Sequence, residues 1–350
     1  MGGNALKNVK TRRYQREEYL QLKQRILNTI QEHVKQVDVP KEFPNKESFG
    51  DLDVMIVSPE NVSCKQLIID LFQPIEIVEN GDVFSFDVDE FQIDFILVPE
   101  TYFRNATVYF SYSDLGGLIG NICHKIGLKY GIQGLWLNIH TKEFDPTTTS
   151  TKLILSEDPE EIFRFLGHDY QRYLRGFNNE NELFQWIIEG KYFRRFYFHE
   201  DHLNHAHRHR TSKRPIYMKF IEFLNQNLSS NEENDSLNEV EEKELAKKVR
   251  HAALIDFNKY DQYQANLQMT DQKRIYRAKY SGKYFIDVVE VRSDIPSVMK
   301  NFERLIAETD EEFQRWVLEN DQETIEKQIN NFKQQFKSNR HDLVSKKSED

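Results

Sequence analysis

Apolar positions recur at helical spacing over residues 16–35, where Tyr19, Leu20, Leu22, Ile26, Ile30 and Val34 fall near one face. Glu17 and Glu18 sit in the first turn, so the segment reads as an amphipathic helix. The next stretch, VDVPKEFPNKESFG, leads into Asp51-Leu52-Asp53-Val54-Met55-Ile56-Val57, an apolar run with two embedded carboxylates that predicts a strand. Residues 64–72 predict a short helix. Two further apolar runs, 83–88 and 91–98, are joined by Asp89-Glu90 and closed by Pro99, the pattern of a β-hairpin feeding a core strand. From Tyr112 onward the pattern turns mainly helical, with a glycine-rich helix region through Gly134, then 159–166, 180–188 and 216–228. The stretch 229–244, SSNEENDSLNEVEEKE, is acidic and nearly free of large apolar residues, which predicts a linker or exposed loop. Helical patterns return over 245–257, 297–307 and 311–336, and a charged tail begins at 338.

These elements predict an α+β chain in several parts: a small mixed-sheet core (1–110), a helical region (111–228), the acidic linker (229–244), a mainly helical C-terminal region (245–337) and a flexible tail (338–350). Hydrophobic residues at 39% and charged residues at 30% describe a folded, solvated protein. No segment approaches the ~20 consecutive apolar residues of a membrane span, so no membrane association is expected and the chain is assigned to the cytosol or a nucleus. Cys64 and Cys123 are too few for a disulfide framework or a cysteine zinc site. The net charge of −10 argues against coating duplex DNA by charge alone, so any nucleic-acid contact is expected to be local.

The strand period of two puts Asp51 and Asp53 on one face while Leu52 points into the core. Two anions side by side repel, and a divalent cation between them relieves that repulsion; hard carboxylate oxygens suit Mg²⁺ or Mn²⁺. A solvated pair at a strand start is the competing reading. Asp94, a third acid inside the apolar run 91–98, changes the balance, because three carboxylates on neighbouring strands can hold two metal ions around a nucleoside triphosphate.

In SFGDLDVMIV and FQIDFILVP the first 100 or so residues resemble the DNA polymerase β-like nucleotidyltransferase superfamily, whose small mixed sheet bears a Gly-Gly or Gly-Ser turn, a DxD and a third Asp. The resemblance implies an α+β fold, a small mixed-sheet nucleotidyltransferase core followed by a mainly helical region. It implies that Asp51 and Asp53 bind both metal ions. Asp94 would bind the catalytic ion and help deprotonate the acceptor hydroxyl. The glycine element departs from the family pattern. No glycine precedes Asp51 at about ten residues, and the candidate is Gly2-Gly3-Asn4 at the N-terminus, folded back over the phosphates, with Lys46 and Ser48 as substitute phosphate contacts.

In Tyr112-Ser113-Asp114-Leu115-Gly116-Gly117-Leu118-Ile119-Gly120 the small residues permit close backbone approach, either to a sugar or base or to a neighbouring helix. Lys213 and Arg214, followed by Tyr217, stand at a helix start where cations would meet a triphosphate or an acceptor backbone. The histidine-rich run 199–214 reads as a basic surface or, less well by spacing, a zinc site. Lys273, Arg274, Arg277, Lys279 and Lys283 interleave with Tyr276, Tyr280, Tyr284 and Phe285, a pattern that suits RNA contact or an ordinary strand surface. The expected activity is transfer of a nucleoside monophosphate from a nucleoside triphosphate to an acceptor hydroxyl, with an RNA or tRNA 3′ end as the first-choice acceptor. A protein side chain or a small molecule is the alternative acceptor. A non-catalytic RNA- or protein-binding module of the same fold is the alternative class.

Overall fold

The computed structural model describes residues 3–140, 150–198, 214–228, 237–290 and 295–345, with side chains to residue 336. The chain divides into two compact units, residues 1–138 with 152–260, and residues 139–151 with 261–350.

The first unit begins with β1 (Tyr14–Gln15), α1 (Arg16–Ile30), β2 (Gln36–Asp38), β3 (Ser48–Phe49), β4 (Asp51–Val57), α2 (Cys64–Phe72), β5 (Ile77–Asn80), β6 (Val83–Val88) and β7 (Phe91–Leu97). Five strands form one sheet in the order β2-β4-β7-β6-β5. Only β4 and β7 pair in parallel, so the sheet is mixed. Asp89 and Glu90 both take positive φ, 51° and 61°, as a two-residue hairpin turn of the primed type requires. β1 and β3 form a separate two-stranded pair.

α1 opens on a capping box between Gln15 and Glu18 and buries Tyr19, Leu22, Ile26 and Ile30. It ends at Ile30, short of the predicted 35, because the chain turns there into β2, whose antiparallel ladder with β4 satisfies the backbone. The two sheet faces carry different cores. Leu52, Val54, Ile56, Phe84, Phe86, Ile93 and Phe95 join the buried residues of α1 and α2. Met55, Val57, Ile96 and Val98 pack with Phe103 and Ala106 of α3 (Phe103–Phe110). Since Asp51 and Asp53 alternate in phase with Met55, and Asp94 with Ile96, the three acids continue the face that α3 covers further along the strands.

Beyond α4 (Leu115–Lys125) the predicted helix through Gly134 gives way to a second sheet. β8 (Lys129–Gly131), β9 (Gly134–His140) and β10 (Ser150–Ser156) pair in the order β10-β9-β8. Leu135, Leu137 and Ile139 are all fully buried, a period of two that overrides the helical reading. Gly134 has φ +98°, and a Cβ there would lie 2.2 Å from the Ser156 carbonyl oxygen, so this glycine permits the close strand approach. Then come α5 (Pro159–Leu166), α6 (Tyr170–Arg175), α7 (Glu180–Ile188), α8 (Pro215–Asn227) and α9 (Glu239–Asp256). α9 opens within the stretch read as a linker: Asn238 and Glu241 form a capping box, and Glu239, Glu241 and Glu242 complement the helix N-terminus.

The second unit holds α10 (Tyr260–Lys279) for all but its first residue, α11 (Gly282–Val289), α12 (Ile295–Ile306), α13 (Asp310–Glu319) and α14 (Gln322–Ser345). Their core gathers Tyr280, Phe285, Phe302, Phe313, Ile325 and Ile329. The single helix expected over 311–336 is two, broken at Asn320, whose extended backbone ends α13. The basic and aromatic run 273–285 is helical, and its aromatics are spent on packing: Tyr280 and Phe285 are buried and Tyr276 packs against the same core. Lys279 Nζ donates to the carbonyls of Leu318 (2.9 Å) and Asn320 (2.6 Å), capping α13. No helix among the described residues is long and apolar enough to cross a membrane.

Candidate active site

The parallel register of β4 and β7 sets Asp53 directly opposite Asp94 and Asp51 opposite Gln92. From the other side of β7, Ser85 lies opposite Asp94, and its hydroxyl favours the ionised carboxylate. The three acids act as one electrostatic group. Burial, then the charges of Asp51 and Asp94, push the Asp53 carboxyl up to about 7, against the opposing pull of Lys46. Asp94 is also raised, first by burial and further by Asp51, while the Ser85 hydroxyl and the Gln92 amide hold it back.

The N-terminal segment lies against this group. Gly3 N–H donates to Asp51 Oδ2 at 3.0 Å. Its φ is +82°, and a Cβ at this position would stand 2.3 Å from the Gly50 carbonyl oxygen, so both backbone angle and space require glycine. Ala5 N–H donates to Gln92 Oε1 at 2.9 Å, and Gln92 Nε2 donates to Asp94 Oδ1 and Oδ2 at 2.9 and 3.0 Å. Further along, the backbone N–H groups of Lys7, Asn8 and Val9 all donate to the Glu76 carboxylate. A glycine some 50 residues before the DxD in sequence is thus its neighbour in space. Gly2 lies outside the described residues, and Asn4 is exposed.

Among the described residues, no group of three or more His, Cys, Asp or Glu is placed so that it could hold a metal ion. Asp51 and Asp94 are instead held by Gly3 and by Gln92 with Ser85. The donor set nevertheless fits a hard divalent cation in kind: all oxygen, on adjoining strands, with a mutual repulsion that a cation would relieve. No protein-family model and no curated protein matches this chain.

Lys46 reaches the acids electrostatically, ion-pairs with Glu42 at 3.6 Å and lies over the Phe49 ring at 4.4 Å. Glu42 also disfavours ionisation of the Tyr19 hydroxyl, and the Tyr19 ring stacks on Phe49 at 3.8 Å. Ser48 is engaged by Arg13, which donates to its hydroxyl and its carbonyl, both at 2.8 Å. Gln92, Glu42, Tyr19 and Glu76 were not legible as site residues, though Gln92 stands two positions before Asp94 on the same strand face, a signal the period of two makes readable.

The second predicted cluster has a different character. Arg214 ion-pairs with Asp114 at the start of α4, and burial pushes the Asp114 carboxyl up to about 6 against the pull of that arginine. A Cβ on Gly117 would meet Asp114 Oδ1 at 2.3 Å and Arg214 Nη1 at 2.6 Å, while one on Gly116 would meet the Tyr109 ring at 2.3 Å. Gly116 thus permits close approach of the Tyr109 ring, whereas a Cβ on Gly120 would meet only ordinary contact, the Tyr130 carbonyl oxygen at 3.6 Å. Tyr217 is buried, 6.0 Å from the Phe198 ring. Lys213 and the histidines of 199–209 lie outside the described residues.

Proposed function

We propose that the chain is a metal-dependent nucleotidyltransferase of the DNA polymerase β-like kind. The observation that carries this reading is the facing pair Asp53 and Asp94 with Asp51 on the same sheet face, and the Gly3 backbone against Asp51. Asp51, Asp53 and Asp94 would hold two Mg²⁺ or Mn²⁺ ions, which supply charge neutralisation for the triphosphate and a more acidic acceptor hydroxyl. The acceptor oxygen attacks the α-phosphorus, forming a new P–O bond while the bond to the bridging oxygen breaks and pyrophosphate leaves with its electron pair. The hydroxyl proton passes to Asp94, the carboxylate that faces Asp53 across the β4–β7 pair and would stand beside the acceptor oxygen. Lys46 adds positive charge beside the acids, and the Gly3 amide is the described part of the glycine element proposed for the phosphates.

An RNA or tRNA 3′ end remains the proposed acceptor, supported by the basic stretch 191–220, where eight Lys or Arg residues face only Glu200 and Asp201. The aromatics of 276–285 no longer support it, since they are packed in a core. A protein or small-molecule acceptor is the alternative.

The test is incubation with each labelled nucleoside triphosphate, Mg²⁺ or Mn²⁺, and total RNA. Transfer lost in Asp51→Ala/Asp53→Ala supports the site, whereas transfer that survives overturns it. Failure of the intact chain to label RNA, protein or small molecules would favour a non-catalytic binding module, the reading that the engaged state of Asp51 and Asp94 also fits.

A further inference from the structure

Gln92 is 2% exposed, and its terminal amide is shared between two partners. Its Nε2 covers both oxygens of Asp94 and its Oε1 takes the Ala5 N–H, an arrangement with one chemically sensible orientation, since a flipped amide would set acceptor against carboxylate and donor against N–H. Two residues upstream the Gly3 N–H occupies Asp51 Oδ2. Two residues beyond Ala5, the segment is pinned by the Glu76 carboxylate, which also receives Asn8 Nδ2 at 2.9 Å. Side chains of the sheet thus hold the N-terminal strap at two places, residues 7–9 on Glu76, away from the acids, and residues 3–5 on the acids themselves or on Gln92, with Leu6 buried between them and Thr11 Oγ1 donating to the Gly3 carbonyl at 3.3 Å.

A cation approaching Asp94 meets the positive end of the Gln92 amide, and one approaching Asp51 meets the Gly3 N–H. Turning the Gln92 amide away from Asp94 moves its Oε1 off Ala5. From this geometry we infer that Gln92 is a positioning residue coupling divalent-cation loading at the three aspartates to release of strap residues 3–5, while Glu76 keeps 7–9 in place. The inference rests on the reading of the three aspartates as a cation site. By linkage, whatever the cation does to the strap the strap does to cation affinity.

The experiment uses the full chain and Mn²⁺ alone, with free Mn²⁺ counted by electron paramagnetic resonance and amide exchange followed by mass spectrometry. In the wild type, saturating Mn²⁺ should speed exchange over residues 3–5 roughly tenfold, the scale of losing a hydrogen bond to a charged group, and leave 7–9 unchanged. Gln92→Met should exchange rapidly at Ala5 without the ion and bind Mn²⁺ roughly fivefold more tightly, because no amide need be displaced. A structural defect alone would weaken binding instead. Gln92→Glu keeps an acceptor for Ala5 and loses the donor to Asp94, so its strap should stay docked when Mn²⁺ is absent.

Mn²⁺ bound through Asp53 with residues 3–5 unmoved overturns the coupling and leaves the site reading standing. Unchanged or weaker Mn²⁺ binding in a folded Gln92→Met overturns it too. Equal Mn²⁺ binding in wild type and Asp53→Asn, or none in either, overturns the site reading and the coupling with it. The wild-type arm decides the matter even where a Gln92 variant does not fold.

Discussion

Replacing Asp53 with Asn should stabilise the protein at neutral and alkaline pH. Burial and two neighbouring carboxylates move the Asp53 carboxyl from its ordinary 3.8 to about 7. That rise corresponds to about 4 kcal/mol of destabilisation when the group is ionised, an upper bound because Asn must also be desolvated. We expect about 2–4 kcal/mol. The sign follows from proton binding: between 3.8 and 7 the folded state holds the Asp53 proton and the unfolded chain does not, so stability falls as pH rises through that window and stays low above it. The variant has no such proton. Thermal unfolding of both proteins without divalent ions, from pH 4 to pH 8, should therefore show melting temperatures that coincide at the acid end and separate by several degrees at the alkaline end. Equal melting temperatures at pH 8, or a gap independent of pH, would refute the claim that the three carboxylates repel within a partly desolvated group. Mg²⁺ should narrow the gap by stabilising the wild type.

His168 is held against the Trp186 ring and carbonyl, and burial pushes its imidazole down to about 4. Between about 6.5 and 4 the unfolded chain takes up a proton that the folded chain refuses, so stability should fall by about 3 kcal/mol as pH drops through that range, and His168→Phe should flatten this limb of a denaturant-midpoint series. Gly3→Ala places a Cβ 2.3 Å from the Gly50 carbonyl, so the strap should undock and the N-terminal segment become readily cut in limited proteolysis while the β4 core stays protected. Phe302→Ala, at a fully buried position of the C-terminal unit, should destabilise that unit by about 3–5 kcal/mol in denaturant unfolding followed by exchange of its helices.

What sequence could reveal follows from how local each signal is. β4 and the β6–β7 hairpin were legible because alternation and a two-residue turn are properties of adjacent positions, and Asp51, Asp53 and Asp94 were legible because each breaks an apolar strand. β2 and β5 were missed because short edge strands of mixed polarity owe their conformation to the ladder they join. The second sheet was missed for another reason: the glycines of 116–134 were read as one helical region, although Leu135, Leu137 and Ile139 already alternate. In the run 273–285, helical periodicity turns Tyr280 and Phe285 into a core, so a composition suited to nucleic acid became packing. Glu76 joins the N-terminal segment only through residues 67 to 69 positions distant, and Gln92, though two positions from Asp94, meets Ala5 across 87, separations that no window along the chain can bring together.

The placement of the N-terminal strap bears on why three repelling carboxylates are tolerated at all. The donors at the acids, the Gly3 amide and the Gln92 amide, are uncharged, as is the Ser85 hydroxyl beside Asp94, and Lys46, the cation that acts on Asp53, is shared with Glu42. Burial first, and then the charges of Asp51 and Asp94, still raise Asp53 to about 7 against the pull of that lysine. A group that needed only stability would do better with one acid fewer. The repulsion that appears when Asp53 ionises is what either a proton or an added cation would relieve, and that is the electrostatic ground for the divalent ions proposed above.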